Sequence, residues 1–90
     1  MTENPQHRLK RLAMRSMRRG IKEMDLILSD FAGAALARLT PAELDLYEEL
    51  LEENDHDIYL WVSGQDAGPS QYTALVAKIA VRAQGLTRPV

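Results

Sequence analysis

Apolar residues recur at spacings of three and four through nearly the whole chain, and apolar–polar alternation is never sustained over a useful length. That period places side chains on one face of an α-helix and leaves no run suited to a half-buried strand. Five helical segments are predicted. The first covers about residues 7–18, with Leu9, Leu12, Ala13 and Met17 on one stripe and Pro5 ahead of it. The second covers about residues 21–36, with Met24, Ile27, Leu28, Phe31 and Ala35 as its apolar row. Glu23 and Asp25 fall in its first turn, where carboxylates suit the positive helix end. Its small residues Ala32, Gly33, Ala34 and Ala35 would admit a neighbouring helix closely. Thr40-Pro41-Ala42-Glu43 is the clearest start signal: Thr40 can cap, Pro41 fits the first helical position and Glu43 can reach back. The third helix then runs to about residue 52, with Leu44, Tyr47 and Leu51 in one row and Leu46 and Leu50 beside it.

Asn54-Asp55 reads as a turn and a fresh cap before a short fourth helix at about residues 56–63, which Gly64 stops. Residues 65–69 form a loop, and Ser70 is the expected cap of a fifth helix reaching residue 84. Tyr72, Leu75, Val76, Ile79, Ala80 and Ala83 make its stripe, Gly85 ends it, and residues 86–90 read as a loose tail. Short connections force successive helices to pack against each other. The expectation is an all-α, compact five-helix bundle, one domain over residues 1–90 with a helical core at about 7–84.

Ninety residues bound what such a bundle can do. A chain of this size buries only somewhat more than about 60% of its unfolded surface, which leaves no room for a deep substrate cavity with its own lid. The absence of cysteine removes disulfide scaffolds, zinc–thiolate sites and thiol nucleophiles. No apolar stretch approaches a transmembrane span, so no membrane insertion is expected. The two histidines, His7 and His56, are far apart, and the Asp55-His56-Asp57 cluster reads as a solvated helix start, with no metal site. Ser16, Ser29, Ser63 and Ser70 lack the surroundings of a nucleophile, and no catalytic residue is expected. Binding modules, adaptors and assembly factors remain.

Charge is segregated along the chain. Residues 1–22 carry Arg8, Lys10, Arg11, Arg15, Arg18, Arg19 and Lys22 against the single acid Glu3, whereas residues 23–66 carry twelve acids and one base, Arg38. The basic part could steer toward an acidic or phosphate-bearing partner. A nucleic-acid reading must contend with a pI of about 5.6 and with aromatics that are not interleaved with the basic residues.

The junction Arg18-Arg19-Gly20-Ile21-Lys22-Glu23 places a guanidinium at a glycine bend just before a helix. Gly20 can be the left-handed residue after the first helix or the start of the second. Arginine offers a planar donor fork, glycine admits a close surface, and Glu23 can bond back to the free amides of the turn. One reading is a rigid recognition corner. The other is a helix end at Gly20, with Arg19 and Glu23 as an ordinary surface pair.

A resemblance bears on that choice. Arg19-Gly20-Ile21-Lys22-Glu23 is similar to the RGxxE motif of the small FAD assembly factors of succinate dehydrogenase, the SdhE family. Residues 18–28 resemble that family's opening to its second helix, with Phe31 following in place. Residues 43–52 resemble its E-x-x-x-(F/Y)-E-x-L-L-E helix, and Asp55 to Trp61 its D-x-D-(L/I)-Y-x-W helix, followed by Gly64. Ile21 and Lys22 occupy the variable places of the motif. The resemblance covers about residues 8–83 and implies a five-helix bundle that is not an enzyme. It implies binding to the flavoprotein subunit of succinate dehydrogenase, and in some bacteria of fumarate reductase, promoting covalent attachment of FAD to it. No cofactor of the chain's own is then expected, since the FAD belongs to the partner, and the free chain is expected to be a monomer. Arg19 becomes the charged anchor, Gly20 the close-approach point and Glu23 the shaping group or second polar contact. Arg15, Arg18 and Lys22 add steering, with Asp25 and Tyr59 as further contact candidates and Trp61 assigned to the core. The start without a leader inclines toward the bacterial cytoplasm, and the mitochondrial matrix suits a eukaryotic source. The alternative is an antitoxin-like or nucleic-acid-binding helical adaptor using the basic first helix.

Overall fold

The computed structural model describes residues 3–84. Within them lie five α-helices: α1 (Pro5–Arg15), α2 (Lys22–Ala35), α3 (Pro41–Leu50), α4 (Asp55–Val62) and α5 (Thr73–Ala83). Short 3₁₀ turns follow α2 at Leu36–Arg38 and precede α5 at Ser70–Tyr72. Among the described residues there is no strand, and the five-helix bundle is the fold the periodicity implies. The expected end of the last helix at Gly85 and the tail at 86–90 lie outside the described residues.

Each apolar row reaches one continuous core. Leu12 of α1 meets Met24, Ile27, Leu28 and Phe31 of α2, Tyr47 and Leu50 of α3, Ile58 of α4 and Leu75 and Ile79 of α5. The Phe31 and Tyr47 rings lie 5.6 Å apart and tilted, a favourable aromatic geometry. Trp61 is half-buried against this core, stacked on Tyr72 at 5.9 Å. Gly68, at φ 71°, lets the loop close over the indole, since a Cβ there would come within 2.7 Å of the ring.

Helix starts follow local chemistry at α1, α3 and α4 and depart from it at α5 and α2. Thr40 and Glu43 form the complete capping box at α3, with Pro41 at its first position. Asn54 caps α4 by accepting the His56 and Asp57 amide hydrogens. Asn4 caps α1, so that Pro5 lies inside the helix and not ahead of it. The expected Ser70 cap is replaced by the 3₁₀ turn, and α5 starts at Thr73 without a side-chain cap. At α2 the N-cap is Ile21, which has no side chain able to accept a hydrogen bond. The small-residue run of α2 does not admit a helix at Gly33, which faces open space.

Candidate functional site

The corner between α1 and α2 is built from both sides. The first helix stops at Arg15, three residues short of the sequence expectation, and Ser16, its C-cap, is turned inward. Its hydroxyl donates to the Leu12 carbonyl at 2.8 Å and lies 2.6 Å from the Tyr47 hydroxyl, in full burial. Burial pushes the Tyr47 phenol above its ordinary pKa, so it stays neutral in this contact. Met17 then leaves the α1 stripe and points to solvent. The left-handed residue is Arg18, at φ 55°, and not Gly20. Asp25, one turn into α2, accepts the Arg18 amide hydrogen at 2.6 Å. A carboxylate in the first turn of α2 therefore holds the strained residue, the task the sequence assigns to Glu23. Glu23 itself is exposed.

Arg19 points into the molecule, with only 12% of its side chain accessible. Its NH1 donates to the Arg15 carbonyl at 2.7 Å and its NH2 to the Leu51 carbonyl at 2.9 Å. Nε and NH2 reach Asp55 Oδ1 at 3.0 and 2.8 Å. The second oxygen of Asp55 accepts the Gly20 amide hydrogen. One guanidinium thus ties the end of α1, the end of α3 and the start of α4 together. The expected role of Arg19 as a free donor fork for a visitor is corrected here: its donors are engaged within the chain.

The steering role expected of the basic segment changes likewise. Arg8 pairs with Asp45 at 2.6 Å and Glu48 at 3.4 Å, Arg11 with Glu48 at 2.7 Å and Glu3 at 2.8 Å, and Arg15 with Glu52. The arginines at 8, 11, 15 and 19 match carboxylates at 45, 48, 52 and 55, rung by rung. Arg11 holds the Glu48 carboxyl below its ordinary pKa, and Asp45 raises Arg8. The basic stretch is therefore matched by the chain's own acidic helix. The two halves of this ladder were legible as three- and four-residue spacings, but their facing each other was not.

Beside the corner lies an apolar strip. Its methionines, Met14 and Met17, are 60% and 47% exposed, and Leu26, the residue after Asp25 in α2, is 46% exposed. Met14, Met17, Arg18, Asp25 and Ser29 line a shallow depression of about 450 Å³. Lys10, Arg18 and Lys22 are all exposed, and none of their side chains is in an ion pair among the described residues. Arg18, Gly20, Lys22 and Asp25 thus meet at one corner, with Arg15 behind them in its pair with Glu52. Tyr59 lies one turn along α4 from Asp55, half-buried against the core. The sequence reading missed Met14, Met17 and Leu26 as surface and Asp55 as a structural partner. Met14 carried a signal, an apolar residue on the arginine side of α1.

Among the described residues no group of three or more histidine, aspartate or glutamate side chains is arranged to hold a metal, and no helix is long and apolar enough to cross a membrane. A family model described as flavinator of succinate dehydrogenase matches residues 10–83, a span that includes the corner, the strip and Asp55. The mitochondrial succinate dehydrogenase assembly factor 2 of Scheffersomyces stipitis is 53% identical over 53 residues, 59% of this chain and 36% of that protein. The protein of the same name from Kluyveromyces lactis is 49% identical over 53 residues, 59% of this chain and 32% of its own. That from Aspergillus terreus is 49% identical over 57 residues, 63% of this chain and 19% of its own. The chain spans about a third or less of the length of these relatives. With a match running from the middle of α1 to the end of α5, the chain belongs to the family of flavinators of succinate dehydrogenase.

Proposed function

We propose that this chain is an assembly factor that binds the flavoprotein subunit of succinate dehydrogenase and promotes covalent attachment of FAD to it. The observation that carries the reading is the family match over residues 10–83, whose span contains a preformed corner bordered by accessible apolar surface. The chain contributes positioning and no catalytic group. Its rigid corner would hold partner domains so that the histidine and the flavin, both the partner's, stay in reacting geometry. Met14, Met17 and Leu26 supply apolar contact area, and methionine adapts its shape to an uneven surface. Arg18, Lys22 and Glu23 supply polar contacts at the rim, and Gly20 leaves the corner low. No stably bound cofactor is part of the reading, and fumarate reductase is a second candidate host.

The relatives bear a mitochondrial designation, so the reading extends to a mitochondrial compartment, and the bacterial cytoplasm draws no support from them. The nucleic-acid alternative loses ground on the Arg8, Arg11, Arg15 and Arg19 pairs, which leave few cations for phosphates. The test is complementation. In a strain lacking its own flavinator, this chain is expected to restore covalent flavin fluorescence on the denatured flavoprotein subunit and to co-purify with it. A subunit that stays unflavinylated despite abundant folded chain would overturn the proposal.

A further inference from the structure

We propose that Asp55 is the positioning residue of the corner, and that Gly20 favours glycine because a side chain there would crowd the Asp55 carboxylate. The proposal deepens the reading above and rests on it only for its binding arm. Three observations converge. Gly20 has no left-handed backbone that would demand glycine, since the positive φ of this turn belongs to Arg18. A Cβ placed at Gly20 would lie 3.0 Å from Asp55 Oδ2 and 3.8 Å from its carboxyl carbon. That same oxygen accepts the Gly20 amide hydrogen, while Oδ1 holds Arg19.

Asp55 is free for this work because Asn54, immediately before it, caps α4. The first residue of α4 can therefore turn its carboxylate away from its own helix and onto a loop 35 residues earlier. It supplies α2 with the anchoring that Ile21 cannot. A methyl group at Gly20 would crowd Oδ2, and the shift of the carboxylate that relieves it would loosen both its contact with the Gly20 amide and the hold of Oδ1 on Arg19. The preference for glycine is thus internal, which is a different demand from a partner's backbone approaching closely.

Two measurements separate these demands. In the free chain, hydrogen exchange at the Gly20 amide is expected to quicken in Asp55→Ala at least tenfold more than that of the core amides of α5, which follow only the change in global stability. A Gly20 rate that rises no more than theirs would overturn the latch, whatever the partner does. Binding to the flavoprotein subunit is then measured for Gly20→Ala, Asp55→Ala and the double variant, at a temperature where circular dichroism shows each folded. Each single change is expected to weaken binding about tenfold, the worth of one charge-assisted hydrogen bond, and the double variant no further than Asp55→Ala. Additive losses would mean that the partner itself excludes a side chain at Gly20, and would overturn the proposal. Unchanged binding by Asp55→Ala would reduce Asp55 to a merely structural group and overturn it equally. Should Asp55→Ala not fold, Asp55→Ser, shorter but still polar at the helix start, takes its place in both arms. Failure of the wild type to bind would overturn the proposed function alone, and the exchange result would still judge the latch.

Discussion

The starts of α3 and α2 solve the same problem by opposite means. At α3 everything needed lies within four residues: Thr40 accepts the Glu43 amide hydrogen, Glu43 returns the favour at Thr40, and Pro41 has no hydrogen to satisfy. At α2 the N-cap is Ile21, and the turn before it is held by Asp25 from inside the helix and by Asp55 from another helix. A locally capped start forms wherever its sequence goes. A start held from a distance exists only when the bundle is assembled, so its shape reports on tertiary structure. The difference teaches why the corner can be rigid and yet leave its outer surface unoccupied: its holding contacts all come from within.

The comparison breaks first at Arg19. Arg19→Ala strands the part-buried Asp55 carboxylate and the Leu51 carbonyl, and is expected to cost about 3 kcal/mol of stability in denaturant unfolding. Helical content well below the transition should persist, so stability and binding must be measured separately. Next in size, Met14→Glu with Met17→Glu is expected to weaken flavoprotein binding by more than about tenfold while changing stability by under about 0.5 kcal/mol. That pair sharpens the division between an inner scaffold and an outer contact. Thr40→Ala should cost about 1 kcal/mol, and should leave binding unchanged because α3 is capped on its own.

The smallest effect is on acid stability. Arg11 holds the Glu48 carboxyl below its ordinary value of 4.5, so the unfolded chain takes up that proton first as the pH falls. The contribution of the Arg11–Glu48 pair is thus complete above about pH 4.5 and disappears as the pH drops through the lowered value. Thermal midpoints measured from pH 6 to 3 should decline below 4.5. Added salt should flatten the decline, since this pair is partly solvated.

Much of the bundle was legible because its rules are local. Helical spacing named the core residues Met24, Ile27, Leu28 and Phe31, and the Thr40–Glu43 box marked the start of α3. The corner was legible in its residue types and not in its wiring. Nothing near Arg19 announces that its guanidinium would turn inward to Leu51 and Asp55, more than thirty positions away. Glu23 was the natural candidate for shaping the turn because it stands at capping-box spacing from Gly20, yet the left-handed turn at Arg18 brings the amide to Asp25 instead. Met17 was assigned to the α1 stripe on periodicity, and the helix ends at Arg15, before reaching it, with the left-handed residue at Arg18. Long-range polar contacts and early helix termination depend on which elements meet, and no spacing rule encodes that.

On the proposed function, this corner and its bordering strip are where the flavoprotein subunit docks. The most direct test is to titrate the isotopically labelled chain with that subunit and follow the backbone amide signals. Met14, Met17, Arg18, Gly20, Lys22 and Leu26 are expected to broaden or shift while the exposed face of α5 around Val81 does not. Changes centred on α5, with the corner undisturbed at saturation, would contradict it.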